Sequence, residues 1–281
     1  MENILALEAG IIKEDFHTHI RHLISSTRLQ IQIQPLHLLF GEMVSKFLDR
    51  TKEIEQLLND LPRLAKENPS VTLECILMIH PAVKADNLND PDVVHSQDLV
   101  YRLLKQRTSS IVGCEGTSLS RVSIRSFLKE SVERQAILLG QHGNVHSMKK
   151  SLKKVIHIHG YLRFLQEHLS AHLVGIEDPS TLNLHFMIDR ICPTDEIAMS
   201  NLHPLANLNK LLIRLRTYIS VALLYKAIEA NQEKKHGVLV VGAGHWKEFV
   251  SLHEELGIGI KFLETARPEF LDQFPRCRVK I

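Results

Sequence analysis

The sequence is short of aromatic residues, cysteines and long apolar runs. Its longest apolar stretches, Ile219–Tyr225 and Val238–Ala243, fall far below the roughly 20 residues that a membrane-spanning helix needs. The four cysteines are far apart and form no CxxC pair, which argues against a disulfide framework or a thiolate zinc site. The first residues show no basic region followed by a sustained apolar one. We therefore expect a cytoplasmic protein without a membrane span, although secretion by a signal-independent route is also compatible with the sequence.

The sequence also has no large excess of positive or of negative residues. The chain has 34 Lys and Arg against 32 Asp and Glu, which gives a formal net charge of +2. No block of about five or six like charges occurs, so the composition gives no support for a nucleic-acid partner or for binding to a membrane surface. We expect a small-molecule or peptide substrate, and the sequence leaves the oligomeric state open.

Histidine is unusually frequent, with 17 in 281 residues. Several histidines are two or four positions apart, a spacing that places both side chains on one face of a strand or helix, where they could hold a metal. None of these pairs comes with an H-E-x-x-H motif, so imidazoles at the surface or at the edge of the core are the ordinary interpretation. The pairs are His17/His19, His142/His146, His157/His159 and His168/His172.

The first 68 residues have a helical pattern. Apolar residues recur near a period of 3.6 within 2–29, which predicts an amphipathic helix. The segment Leu36–Glu42 is compatible with a short strand or with the beginning of the next helix. Proline at position 62 and the sequence Asn-Pro-Ser at 68–70 mark a boundary. The sequence therefore predicts a helical N-terminal region over 1–68 and a core domain over 69–281.

Short apolar runs alternate with helix-length segments after residue 69. The runs show no polar alternation, as is typical of strands buried on both faces of a parallel sheet. The predicted strands are Leu73–Ile79, Ser110–Cys114, His172–Ile176, Val238–Val241 and Ile260–Leu263. The predicted helices are Ser96–Gln106, Leu119–Leu139, Lys149–Leu169, Leu205–Asn231 and Lys247–Leu256. The alternation predicts an α/β fold, with a mainly parallel sheet flanked by helices and an N-terminal helical extension.

Polar residues follow the predicted strands, at the edge of the sheet where ligands bind in open parallel sheets. His80 follows the first strand, Glu115 the second and Glu177 the third. Each has an ordinary alternative: His80 before a proline could simply end its strand, and Glu177 could be a neighbour of the N-cap of a helix that begins near Pro179. We interpret all three as candidate site residues because a hydrophobic sheet has no packing use for them.

The fourth strand is followed by the sequence GAGH. Gly242 and Gly244 indicate a close turn of the backbone and are candidate cofactor-binding residues, and His245 is expected to project into the cleft at the beginning of a helix. The segment is not a dinucleotide-binding fingerprint, since Lys247 stands where the third glycine of G-x-G-x-x-G would be.

Four segments together resemble the erythromycin esterase/ChaN/TraB/Tiki superfamily. They are LMIHP, HSQDLVYRLLKQRTSSIVGCEG, HLVGIED and the stretch from LRTYISV to GIKFLE. The similarity covers residues 73–264 and is strongest from residue 216 onward. The resemblance implies a parallel-sheet α/β fold, two G-x-x-H motifs and an acidic residue at the end of the second strand.

On this sequence, the resemblance implies that His80 and His245 are the two motif histidines and that Glu115 is the acid at the strand end. Arg216 matches the arginine on the helix that precedes the last motif. The first motif departs from the family pattern, because Leu77 stands where the family has glycine. The family includes hydrolases, a haem-binding protein and proteins without clear chemistry, so the fold alone does not assign a function.

The leading hypothesis is a metal-assisted hydrolase of an ester or amide bond. His80, Glu115 and His245 would bind a divalent ion such as zinc, manganese or cobalt, with one position open for water. Glu177 would act as general base, and Arg216 would stabilise an oxyanion.

Three alternatives remain at this point. In the first, no metal is present and His80 or His245 moves the proton. The second is a binding protein for haem, with a histidine as axial ligand, or for another small molecule. The third is an interaction scaffold with a decayed site, for which Leu77 is the best argument and in which the N-terminal helices would bind the partner.

Overall fold

A computed structural model of the protein describes residues 15–33, 36–68, 71–79, 91–116, 159–191, 205–231 and 236–264. Several predictions fall on other parts of the chain. The predicted site residue His80, the predicted helix Leu119–Leu139 and the pair His142/His146 lie outside the described residues.

The N-terminal region is helical, as predicted. Its helices are α1 (Phe16–Ile33), α2 (Leu36–Asn59) and α3 (Leu61–Glu67). The ambiguous segment 36–42 forms the beginning of α2, which is kinked at Phe40 (φ −138°, ψ 34°). Leucine and isoleucine side chains on one side of α1 are buried, which explains the helical period seen in the sequence.

The sheet has five strands and is parallel throughout. The strands are β1 (Thr72–Met78), β2 (Ile111–Cys114), β3 (His172–Val174), β4 (His236–Gly242) and β5 (Ile260–Glu264). Their order across the sheet is β3-β2-β4-β1-β5. The remaining helices are α4 (Pro91–Lys105), α5 (Gly160–Glu167), α6 (Pro179–Ile191), α7 (Ala206–Ala230) and α8 (Trp246–Leu256). The chain therefore has the α/β fold that the alternation of apolar runs and helical segments predicts.

Both faces of the sheet are buried. Alternate residues of each strand enter different hydrophobic clusters, because successive side chains of a strand point to opposite faces. In β4, Val238 and Val240 pack with α4 and α5 on one face. Leu239 and Val241 pack with α7 and α8 on the other face, in a cluster that also contains the buried residues of α1, α2 and α3. The N-terminal helices and the sheet thus share one hydrophobic core, while the domain boundary at residue 68 stays a prediction.

Helix α7 is the central helix of the larger cluster. It has 25 residues, and most of its side chains are buried against the sheet and the N-terminal helices. Asn209 and Arg216 are seven positions apart on this helix, so they lie on the same face two turns from each other. Both are buried polar residues. No helix in the described part of the chain is long and apolar enough to cross a membrane.

Candidate functional site at the carboxyl edge of the sheet

Glu115 lies directly after β2. Its backbone N–H donates to the carbonyl of Val240 at 2.8 Å, which continues the pairing of β2 with β4 by one residue. Gly116 then has φ of 86°, in the left-handed region that favours glycine, so the chain turns sharply here. Glu115 Oε2 accepts a hydrogen bond from the backbone N–H of Gly242 at 2.7 Å. The carboxylate is thereby fixed at the end of β4.

His245 lies on the other side of this carboxylate. It ends the short 3₁₀ turn Ala243–His245 after β4 and is buried. The Thr217 hydroxyl of α7 donates to the carbonyl of Ile213 at 2.9 Å, so its oxygen accepts from His245 Nδ1–H at 2.7 Å. This assigns the proton to Nδ1. His245 Nε2 lies 3.4 Å from Glu115 Oε1.

The two glycines of the GAGH segment differ in what they contribute. Gly242 donates the hydrogen bond to Glu115 through its backbone. A Cβ added at Gly244 would meet no atom within 4 Å, so packing in the described residues does not require glycine there. Whether either glycine contacts a cofactor stays a prediction.

Arg216 joins the acidic residues of the site and is almost completely buried, at 1% exposure. Its Nη2 donates to Glu115 Oε1 at 2.8 Å and to Glu177 Oε1 at 2.6 Å, and its Nε donates to Glu177 Oε2 at 3.2 Å. Its Nη1 lies 2.6 Å from His185 Nδ1. Four of the five guanidinium N–H groups are therefore assigned to protein partners.

Glu177 and Asp178 have distinct roles after β3. Both oxygens of Glu177 are held by Arg216 in a bidentate pair, and its carboxylate is buried. Asp178 caps α6, because its Oδ1 accepts from the backbone N–H groups of Ser180 and Thr181, each at 3.0 Å. Asp178 is the helix cap that the sequence Asp-Pro predicts, and Glu177 faces the site instead.

His185 belongs to the site although no sequence pattern indicated it. It lies two turns along α6, and its Nδ1 contacts Nη1 of Arg216, a residue 31 positions away in the sequence. Burial is the main cause that lowers the pKa of His185 to about 3, and the positive charge of Arg216 adds to this effect. The imidazole is therefore neutral at physiological pH.

The charges of this buried cluster do not balance without a further cation. Glu115 and Glu177 contribute two negative charges, Arg216 contributes one positive charge, and His185 is neutral. The sum is −1. A protonated His245 or a bound cation beside Glu115 would neutralise it, because isolated buried charges are strongly disfavoured.

The donor atoms of Glu115 and His245 fit a metal ion. Two ligand atoms at about 2.0–2.1 Å from a tetrahedral ion lie about 3.4 Å from each other, as His245 Nε2 and Glu115 Oε1 do. Both side chains also have outer hydrogen bonds of the kind that orient metal ligands: His245 donates to Thr217, and Glu115 accepts from Gly242. Within the described ranges, no three His, Cys, Asp or Glu side chains form a metal-binding group.

The predicted third ligand, His80, follows β1 and lies outside the described residues. The last residue of β1, Met78, is paired in register with Gly242 of β4. The structure thus brings together Glu115, Glu177, Arg216 and His245, while the convergence of His80 with them stays a prediction.

The described members of the histidine pairs contact other residues. His17 Nδ1 lies 2.9 Å from Asn59 Oδ1, and His172 Nδ1 lies 3.4 Å from Asn231 Nδ2. Burial raises the pKa of the thiols of Cys75 and Cys114, which disfavours the thiolate form that binds metals.

Comparison of the chain with protein-family models, with curated proteins and with solved structures gave no match. The resemblance to the erythromycin esterase/ChaN/TraB/Tiki superfamily therefore stays a prediction from the motifs.

Proposed function

We propose that the protein is a metal-assisted hydrolase of an ester or amide bond, with Glu115 and His245 as two ligands of a divalent ion. The observation that carries the proposal is the 3.4 Å separation of His245 Nε2 and Glu115 Oε1, in a buried cluster in which Glu115, Glu177 and Arg216 together carry a net charge of −1. The position at the carboxyl edge of a parallel sheet supports a ligand site. When bound, the ion would supply Lewis-acid polarisation of a carbonyl group and activate water.

Arg216 and Glu177 act as positioning residues in this proposal. The sequence suggested that Arg216 stabilises an oxyanion and that Glu177 is a general base. The contacts favour other roles, because Glu177 is occupied on both oxygens by Arg216, which in turn holds Glu115 Oε1. Arg216 thus fixes the orientation of the Glu115 carboxylate, and Glu177 offsets the charge of the buried guanidinium.

Metal binding and hydrolysis can be tested on the same preparation. The protein is treated with a chelator, dialysed against zinc, manganese or cobalt and analysed for bound ion. Each sample is then assayed with p-nitrophenyl acetate and leucine p-nitroanilide. We expect one ion per chain and hydrolysis that depends on it. Glu115→Gln and His245→Asn should each lower both ion retention and hydrolysis by at least about 100-fold.

The matched control is His95→Asn, which changes an exposed histidine on α4. It should bind and hydrolyse like the wild type. Thermal unfolding of each variant shows whether it is folded. A wild-type protein that retains no ion, or site variants that retain as much ion as the control, would contradict the proposal. A haem absorbance band in the purified protein would favour the alternative of a haem-binding protein.

A further inference from the structure

Three exposed aliphatic side chains lie where α1 ends and α2 begins. Leu29 is 55% exposed, Ile33 60% and Leu38 76%, and these are the three highest values among the exposed large hydrophobic residues in the described part of the chain. Leu29 and Ile33 are four residues apart, so they lie on one face of α1. Single exposed apolar residues are ordinary, whereas a group of them marks an interaction site. We call these three residues the helix tip.

The helix tip lies at one end of an antiparallel pair of helices. At the other end of the pair, His17 Nδ1 near the beginning of α1 lies 2.9 Å from Oδ1 of Asn59, the last residue of α2. Helix α1 ends at Ile33 and α2 begins at Leu36, so the two helix ends that carry the tip are adjacent. The three aliphatic side chains therefore share one end of the helical pair.

Contacts along α2 show on which side of the sheet the tip lies. Asp60, directly after α2, pairs at 3.0 Å with Lys226 near the end of α7, and that end of α7 packs against Gly237 at the beginning of β4. Further back along α2, Arg50 donates to Asp178, which follows β3, at 2.8 Å. The α2 residue of the tip precedes Arg50 by 12 residues, which is about 18 Å of helix. The tip therefore lies beyond the carboxyl edge of the sheet, on the side of the candidate site.

The exposed side of α1 is basic. Between residues 16 and 33 the helix has two arginines, three histidines and no acidic residue. Arg21 and Arg28 are exposed and seven positions apart, so they lie on the same side of the helix, two turns from each other. Arg21 donates to the His17 carbonyl and the Thr18 hydroxyl of its own helix, and neither arginine forms a salt bridge with a described residue. The small net charge of the whole chain thus conceals a helix whose charged residues are all basic.

We propose that the helix tip binds the surface of an anionic membrane. The aliphatic side chains would lie among the acyl chains, and Arg28, which directly precedes Leu29, would contact lipid phosphate groups. Arg21 lies about 10 Å further along the helix, which is about one Debye length at an ionic strength of 0.1 M, so it would also be attracted by the negative surface. Aliphatic residues next to basic ones are typical of helices that bind at the membrane interface.

The side chains of the tip favour a lipid surface over a protein or a nucleic acid. Protein interfaces are enriched in aromatic residues and methionine, and single-stranded nucleic acids stack on aromatic rings, whereas the tip consists of leucine and isoleucine. Fluid acyl chains adapt to such side chains without a complementary pocket. The contact would direct the carboxyl edge of the sheet towards the membrane, and it depends on neither metal binding nor hydrolysis.

Binding can be measured with vesicles of defined composition. The full-length protein is mixed with vesicles of phosphatidylcholine alone, or of phosphatidylcholine with about 30% phosphatidylserine, and the bound fraction is determined by flotation. We expect at least about tenfold stronger binding to the anionic vesicles, since each arginine near such a surface contributes a factor of about five. An increase of the salt concentration from about 0.1 M to about 0.5 M should remove most of this difference, because it screens the charges.

A triple variant tests the aliphatic side chains. Leu29→Ser/Ile33→Ser/Leu38→Ser should weaken binding to the anionic vesicles by at least about 100-fold, because three side chains lose their apolar area. The matched control is Val94→Ser/Leu169→Ser, which changes exposed aliphatic residues outside the tip and should bind like the wild type. Thermal unfolding shows whether each variant is folded.

A double variant tests the basic side of α1. Arg21→Gln/Arg28→Gln should bring the affinities for the two kinds of vesicle within about twofold of each other. The control Lys52→Gln/Lys66→Gln causes the same change in net charge at exposed lysines of α2 and α3, and it should keep the preference for anionic vesicles.

The proposal would be overturned if the wild type bound neither kind of vesicle or bound both equally. It would also be overturned if the triple variant bound as well as its control. Absence of vesicle binding together with a dimer that the triple variant abolishes, measured by analytical ultracentrifugation, would assign the tip to a second copy of the chain instead. None of these results depends on ion retention or hydrolysis, so a failure of the proposed function is distinguishable.

Discussion

Replacement of Arg216 by methionine tests whether the buried guanidinium holds the site together. Methionine has a similar length and is apolar, so it fills much of the same volume. The substitution removes the hydrogen bonds to Glu115, Glu177 and His185 at once. It leaves two carboxylates in the interior without their cation, with side-chain exposures of 11% for Glu115 and 1% for Glu177.

Removal of one partner from a buried ion pair typically costs about 3–5 kcal/mol, because the remaining charge stays desolvated. A folded domain has a total stability of about 5–15 kcal/mol, so Arg216→Met should unfold the protein partly or make it much easier to denature. Arg216→Lys should restore little, since an ammonium group cannot form the bidentate contact with Glu177. Glu177→Gln in the Arg216→Met background should recover part of the loss, because one of the uncompensated charges is removed.

The measurement is urea denaturation followed by far-UV circular dichroism at pH 7. Arg214→Met is the matched control, two positions away on the same helix. Arg214 is 35% exposed and pairs with Glu248, so its removal should cost about 0–1 kcal/mol. If Arg216→Met costs no more than this control, the buried guanidinium does not stabilise the cluster and our interpretation of the site is wrong.

Three further outcomes follow from individual contacts. The pKa of His185 is about 3 in the folded chain and about 6.5 when unfolded, so the unfolded state gains a proton first as pH falls. Between these two pH values, this residue should lower the free energy of unfolding by about 1.4 kcal/mol per pH unit. The difference in stability between pH 5 and pH 7, measured by denaturation, should therefore be smaller for His185→Gln than for the wild type. Asp178→Ala should lower stability by about 1 kcal/mol through loss of the cap of α6, whereas Asp178→Asn, which keeps a capping oxygen, should lose less in the same assay. In Gly160→Ala the new Cβ would lie 2.0 Å from the backbone carbonyl oxygen of Gln97 on α4, so we expect the protein to lose at least about 1–3 kcal/mol of stability and to have a lower Tm. Gly259→Ala is the control, because a Cβ at this position meets no atom within 4 Å, and it should change the Tm little.

The central strands β1, β2 and β4 could be predicted because they are buried on both faces, so nearly all of their consecutive residues are apolar. The run from Val238 to Val241 shows this, since its residues enter the cores on both sides of the sheet. Glu115 and His245 were found for the related reason that parallel strands bring their carboxyl ends to one edge. The ambiguous segment 36–42 could not be assigned, because a short apolar run suits a helix and a strand equally.

The hydrogen-bond network around Arg216 could not be predicted from local sequence patterns. Its partners Glu115 and Glu177 are 101 and 39 residues away, and nothing in the sequence near Arg216 indicates that a charged side chain is buried there. His185 was missed for the same reason, since a single histidine on an amphipathic helix is ordinary in sequence. Its importance comes from the contact with Arg216, which only the folded chain creates.

The central claim concerns the ion between Glu115 and His245, and an experimental structure of the protein crystallised with zinc tests it most directly. Anomalous scattering at the zinc edge locates the ion without reference to activity. We predict one zinc ion about 2.0–2.2 Å from both His245 Nε2 and Glu115 Oε1, with the side chain of His80 as a third ligand. Zinc bound only at other residues, or His80 more than about 10 Å from the other two side chains, beyond any shared coordination shell, would contradict the account.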